Sequence, residues 1–543
     1  MRRHFLHITL LVCVVAAIFH RLMLAEISVV DDMVLLKGML ESERFDLGGL
    51  FFPGGGAGVY YRPMTGLSFW IESLLWSLRP SMLHLVNILF HLANVLLLYV
   101  MSIRILPDDM RKGYAPLAAA LLFAFHPLVN ESVAWISGRT DLLATVFVLL
   151  STLAVQRCRE TGRSRYLAVA AVALIPGVLA KETALAFPLA AAWLLSDRRE
   201  GAHSPAGATN PSRQAGRFLR RAAWGAAATL AFLLGVFLLR KQAFTADDNR
   251  IDKALGLIVD SPGAILADML SAFGFYLKKF LLPLPLSFTI TAISPWYLAV
   301  GIGVVLGCMW CALRRDLPAV LFLAGCCMIL PALLLTNGAV AWTPYAERYC
   351  YPALPFWVMA AVMRGSRLIR QMRISDRAAH ATVITVIVVS AVITWERNGL
   401  WLTNEALMAD TVDKAPMFAR VRQYYMLALA AKGDTAGAKR QENISLAMDG
   451  SRYVPEQDLD LAEDLVRRGL HKKVFDFVES KLRAEFGDTP RLYTTMRLFY
   501  RELYERTRDE QVRARIIPYE ALRDSVRTDM PLMPIFSLRS SAS

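Results

Sequence analysis

Asp31-Asp32 stand at the end of the first apolar run. Paired carboxylates suit proton abstraction, one ionised and the other positioning a partner, although an ordinary acidic helix start also places two acids together. Further on, His126-Pro127 leads to Glu131 and then to Gly138-Arg139-Thr140-Asp141, again between apolar segments. Tyr61-Arg62-Pro63, Lys181-Glu182 and Ala346-Glu347-Arg348-Tyr349 have the same setting. Charges at a bilayer edge are costly unless they are paired or do chemistry. Taken singly, each reads equally as an ion pair or, for Arg62, as a snorkelling side chain. Taken together, several cations beside acids on one face favour an anionic, phosphate-bearing ligand.

Other patterns point to packing. His84, Asn87, His91 and Asn94 recur at i, i+3, i+7 and i+10, one polar stripe on a helix, which suits hydrogen bonds between membrane helices better than a metal. Gly54-Gly55-Gly56 lacks the Lys-Ser/Thr of a phosphate-binding loop. The seven cysteines (13, 158, 308, 311, 326, 327 and 350) all lie in or beside apolar segments, which argues against a disulfide framework. Cys308 and Cys311 have redox-motif spacing but sit inside an apolar run, where packing is the simpler account.

The elements that must position these residues are membrane helices. The chain has 543 residues, 55% of them hydrophobic, and a mean hydropathy of +0.39, values expected of a polytopic membrane protein. Eleven segments can cross: about 5–25, 82–103, 114–127, 141–156, 166–180, 183–196, 222–240, 297–313, 317–335, 350–363 and 379–395. The first reads as a retained helix rather than a cleaved signal. Two further stretches, 64–78 and 263–282, are ambiguous and would bring the total to thirteen. The apolar runs stop near Trp395. This divides the chain into a membrane domain, 1–395, and a helical domain, 396–543.

Charge sets the orientation. With the two ambiguous stretches held at the outer interface, every strongly basic loop falls in the cytoplasm, and those loops account for the +14 formal charge. The basic balance is then a topology signal, with no nucleic-acid partner implied. Asp31, Asp32, Arg62, Glu131, Arg139, Asp141, Lys181, Glu182, Glu347 and Arg348 all fall on the outer face, as the walls of one site would.

These residues, in this order, resemble the tetratricopeptide-containing protein O-mannosyltransferases and their bacterial relatives, a branch of the GT-C glycosyltransferases. The similarity runs from Asp31-Asp32 through Tyr61-Arg62-Pro63, the His84–His91 stripe and His126 to Asp141. It continues with Ala180-Lys181-Glu182 and ends at Ala346–Tyr349, and the stretch from His126 to Asp141 is its most specific part. The resemblance implies sugar transfer from a polyprenyl-phosphate carrier. Asp31 would be the general base, with Asp32 as the alternative, and Arg62, Arg139, Lys181 and Arg348 would hold the donor phosphate. Glu131, Asp141, Glu182, Glu347 and His126 would support them. The chain departs from the family in a glycine-rich first loop near residues 54–58. It also has a single degenerate tetratricopeptide-like stretch, from Ala415 to Ala438, where the family carries tandem repeats.

The expectation is therefore an all-α, GT-C-type membrane protein of eleven to thirteen spans with a small C-terminal helical domain. It would transfer a sugar, such as mannose, to a protein or glycan acceptor by a single inverting displacement. The donor and membrane lipid are the other partners; no cofactor is assigned, and a divalent metal is left open. A non-catalytic assembly protein that binds lipid and a partner is the alternative. A transporter would place its charges at mid-membrane and show internal symmetry. The short loops suit a bacterial inner membrane with the C-terminal domain in the periplasm. Asn130-Glu131-Ser132 and Asn443-Ile444-Ser445 would be glycosylation sequons in a secretory pathway.

Overall fold

The computed structural model describes residues 2–33, 36, 47–51, 61–196, 262–337, 343–447, 456–486 and 490–516. The segment 222–240, expected to cross, lies outside them. The described residues are helical apart from turns and one isolated bridge between Ile290 and Tyr345. This is an all-α polytopic membrane protein. The chain folds into two compact units, Met1–Thr403 and Asn404–Ser543.

Among the described residues of the first unit, six helices are long and apolar enough to cross a bilayer. They are Arg2–Leu24, Pro80–Ile105, Ile136–Thr161, Tyr297–Arg314, Leu317–Thr336 and Asp376–Leu400. A seventh span arises if Ala115–Ala124 and Pro127–Ala134, bent by 49°, count as one. Of the eleven to thirteen expected segments, 222–240 lies outside the described residues, and others fall short of this test by length or charge. Arg165–Ala180 and Glu182–Leu195 are apolar but short, Leu354–Gln371 carries three arginines in its second half, and the ambiguous stretch 64–78 is the 14-residue helix Pro63–Trp76. Neither that helix nor Pro262–Leu281, the other ambiguous one, is among the six.

The Pro80–Ile105 helix is the internal post, and its polar stripe explains why. Asn87 Nδ2 donates to the Trp135 carbonyl at 2.9 Å and Asn94 Nδ2 to the Leu142 carbonyl at 3.0 Å. His91 bridges the Tyr351 hydroxyl (2.7 Å) and the Ala124 carbonyl (3.1 Å). Each bond satisfies a polar group that has no water to turn to. Elsewhere backbone meets backbone: a Cβ on Gly301 would collide with the Leu270 carbonyl oxygen, so Pro262–Leu281 and Tyr297–Arg314 cross at glycine. The Asp376–Leu400 helix is tied near its end by Thr394 to the Phe125 carbonyl and by Asn398 to that of Ile18. Its Ile384, Val388 and Val392 are exposed, an apolar face suited to lipid.

Charge separates along the bundle. The end holding the first helix's N-terminus carries Arg3 on the Arg111 and Lys112 carbonyls, Asp109 paired with Arg370, and Asp316 taking both Arg364 and Arg367. The sequence-derived acid–base set gathers at the other end.

In the second unit, Gly433, at φ +85°, turns the chain between Ala419–Ala431 and Thr435–Ala447. A left-handed residue there is what glycine allows. Glu456–Arg467, His471–Phe486 and Pro490–Thr507 close around Leu459, Val466, Val474, Val478, Phe499 and Tyr500. Leu461, in the first of these helices, and Leu470, just before the second, are exposed.

Candidate functional site

The site is organised by a hairpin of chain between the bent pair and the Arg139–Thr161 helix. Gly138 folds back on Ser132, where an added Cβ would sit 2.6 Å from the Ser132 carbonyl oxygen. The doubling-back presents Trp135 and Ser137 to the loop after the first helix. The Trp135 indole N–H donates to the Val30 carbonyl at 3.2 Å. Asp32 Oδ1 accepts from the Ser137 N–H at 2.9 Å and from the Ser137 hydroxyl.

Between these two anchors the backbone closes a three-residue turn. The Asp32 N–H donates to the Val30 carbonyl at 2.7 Å, and Asp31 sits at φ +60°. A positive-φ turn with an i to i+2 bond is rare for a residue with a Cβ. It costs about 1–3 kcal/mol unless its surroundings impose it. Asp31 is exposed at the tip, while Asp32 is buried with Oδ2 unpartnered.

Each cation expected at the site has an acid partner. Arg62 meets Glu182 at 2.9 Å, Lys181 meets both Asp141 oxygens at 2.6 and 2.7 Å, and Arg348 meets Glu131 through its guanidinium and its backbone N–H. Glu347 takes Lys279 at 2.6 Å and the Ser287 N–H at 3.0 Å. These pairs adjoin one another: Arg62 and Arg348 both lie close enough to act on the Lys181 charge. The Tyr349 ring faces Lys181 Nζ (5.4 Å) and the Arg348 guanidinium (4.9 Å), which also lies over the Trp135 ring at 5.0 Å. Only the Arg62–Glu182 pair keeps substantial exposure, 22% and 32% of the two side chains.

Arg139 stands apart from these. Its side chain is fully buried against Glu72, with Nε on Asn87 Oδ1 (2.8 Å), Nη2 on the Leu83 carbonyl (2.9 Å), Nη1 also reaching Ser68, and its guanidinium 4.1 Å from the centre of the Phe69 ring. Every donor direction points into protein, so the expected phosphate contact is replaced in this geometry by a structural brace. His126 is likewise structural. Its Nδ1 accepts from the Leu128 N–H, which leaves the proton on Nε2 to donate to the Phe280 carbonyl at 3.0 Å. Asn130 is buried and donates to Asn398 at 2.6 Å, so that sequon offers no accessible amide.

Sequence reasoning missed Glu72, Lys279, Trp135 and Ser137. Glu72 had a signal, as the single charge within the apolar run Met64–Leu78. Lys279 sat in a segment read as ambiguous, and Trp135 and Ser137 carry no charge to notice.

Burial pushes the Asp32 carboxyl up to about 7, against the pull of the Ser137 hydrogen bonds and helped by the Asp31 charge. Its unfolded value is near 3.8. The folded state therefore holds the proton more tightly, and this group's stabilisation is complete below about pH 4 and lost as pH rises through 7. Asp32→Asn removes the ionisation. It should raise the apparent melting temperature in detergent relative to wild type at pH 8, and by less at pH 5. Equal shifts at the two pH values would show that Asp32 stays ionised throughout.

Part of the chain is similar to known proteins. Residues 63–206 match the family model described as dolichyl-phosphate-mannose-protein mannosyltransferase. Over 120 residues, 22% of this chain and 14% of the relative, identity to human protein O-mannosyl-transferase TMTC2 is 39%. The chain resembles the protein O-mannosyl-transferases. Identity is 35% to human TMTC3 over 104 residues (19% and 11%) and 32% to Drosophila melanogaster Tmtc1 over 142 residues (26% and 16%). The chain thus matches less than a fifth of the length of these relatives. No solved structure matches. The family match takes in Glu72, Glu131, Arg139, Asp141, Lys181 and Glu182, while Asp31, Asp32, Arg62, Glu347 and Arg348 lie outside it.

Proposed function

We propose that the chain is a membrane glycosyltransferase that moves a sugar, mannose by analogy with its relatives, from a polyprenyl-phosphate carrier to a protein or glycan hydroxyl. The observation that carries this reading is the exposed Asp31, held on a strained turn whose Trp135 anchor also touches the cation cluster. Asp31 takes the acceptor proton as the acceptor oxygen bonds to the anomeric carbon and the bond to the carrier phosphate breaks. The carbon inverts, and the phosphate leaves with the electron pair. Arg62, the half-exposed cation, meets the departing phosphate, and Lys181 and Arg348 behind it supply a fixed field. Preorganised charge of this kind stabilises a developing anion without reorganisation at the moment of reaction.

The arginine-rich end faces the cytoplasm on the positive-inside argument. The site then opens on the other side, the periplasm if the membrane is a bacterial inner membrane. Residues 396–543 recruit or orient the acceptor there, since their described helices build a packed core without a second acid–base constellation of this kind.

The purified protein in lipid nanodiscs, given polyprenyl-phosphate mannose with a labelled sugar, should release or transfer the label. Donor binding with neither release nor transfer would favour the non-catalytic assembly protein.

A further inference from the structure

We propose that Ser137 and Trp135 are positioning residues that set where the Asp31 carboxylate points. The proposal rests on Asp31 being the base. A left-handed aspartate does not hold itself, and three contacts fix this one. Trp135 donates to the Val30 carbonyl, the same oxygen that closes the turn by accepting the Asp32 N–H. Ser137 binds Asp32 Oδ1 through both its N–H and its hydroxyl. Ser28 Oγ accepts the Val30 N–H at 3.1 Å. Two of the three come from one short segment, and that segment ends at Arg139, which Glu72 locks in place.

The same indole lies under the Arg348 guanidinium. Trp135 is thus a spacer between the base and the cations that face the leaving phosphate. Asp32 is the handle rather than the base: Ser137 grips one carboxylate oxygen and the other is buried. The charged groups acting on that carboxylate are Asp31, one residue away, and Arg139.

The test uses full-length protein and label release from polyprenyl-phosphate mannose, with water as the acceptor, measured over pH. Ser137→Ala should lower kcat by ~10²-fold, the scale of a misplaced catalytic group, and leave KM for the donor nearly unchanged. Ser137→Thr should restore most of the rate. The Ser137 hydrogen bonds favour the ionised form of Asp32. Losing the hydroxyl therefore favours neutral Asp32 and weakens its repulsion of Asp31, and the acid limb of the Ser137→Ala profile, which Asp31 sets, should move to lower pH. Trp135→Phe keeps the ring and removes the N–H. It should lower kcat without moving that limb, and it carries the test if Ser137→Ala does not fold. A loss that only tracks the amount of folded protein, with an unmoved pH profile and no rescue by threonine, would overturn the proposal. So would full activity in both Ser137→Ala and Trp135→Phe while Asp31→Asn is inactive, an outcome that leaves the base assignment standing. Normal release by Asp31→Asn would instead remove the base assignment, and the proposal with it.

Discussion

Asp31→Asn should cut sugar transfer by ~10²–10⁴-fold, the usual range for losing a general base, while the protein stays folded and still binds the donor. Asparagine is nearly isosteric and tolerates the left-handed backbone that Asp31 adopts at φ +60°, so the turn should survive the exchange. What disappears is the basic oxygen at an exposed tip. Asp32→Asn is the control. Asp32 is buried with one oxygen on Ser137, and its amide can still accept those bonds, so its effect on transfer should be smaller. The measurement is initial transfer rate at saturating donor, beside donor binding and a thermal scan. If Asp31→Asn transfers normally and Asp32→Asn does not, the roles are exchanged. If both are active, the acid pair only shapes the loop.

The collection of acids and bases at one end of the bundle is legible in the sequence because helix alternation forces it. Segments that end in Asp31-Asp32, Glu131, Lys181-Glu182 and Glu347-Arg348 must return to the same face. The His84–Asn94 stripe is legible for a similar reason, since its spacing leaves one helical face for all four residues. Which acid meets which base is not legible. Lys181 pairs with Asp141, forty residues away, rather than with its neighbour Glu182, which turns to Arg62. Pairing depends on how helices cross, and crossing depends on residues such as Gly274 and Gly301 that carry no charge signal. Cys308 shows the same limit: its sulfur lies 3.8 Å from that of Cys326 on the next helix, although its sequence spacing suggests Cys311.

Burial is the other quantity a sequence withholds, and Arg139 depends on it. A guanidinium at a membrane edge can contact a phosphate or brace the protein, and composition does not separate the two. Here Arg139 has no exposed surface, and its bonds to Glu72, Asn87 and the Leu83 carbonyl tie the Pro63–Trp76 helix and the Pro80–Ile105 helix to the start of Arg139–Thr161. Arg139→Ala would strand Glu72 as a buried unpaired acid, and breaking one partner of such a pair costs about 3–5 kcal/mol. That is a large share of the stability of an ordinary domain. The expected result is loss of folded, membrane-inserted protein, read by size-exclusion of detergent extracts. Glu72→Gln should fail similarly, because it leaves the guanidinium without its counter-charge. Arg139→Lys keeps the charge but lacks the planar fork that reaches four partners at once, so it should fall between wild type and alanine. The double variant Arg139→Met with Glu72→Leu is the sharper comparison. Replacing both members of a buried pair by apolar side chains of similar size is often neutral or stabilising, so this variant should regain folded protein that neither single variant yields. A well-folded Arg139→Ala protein that has lost donor binding would return Arg139 to the phosphate site.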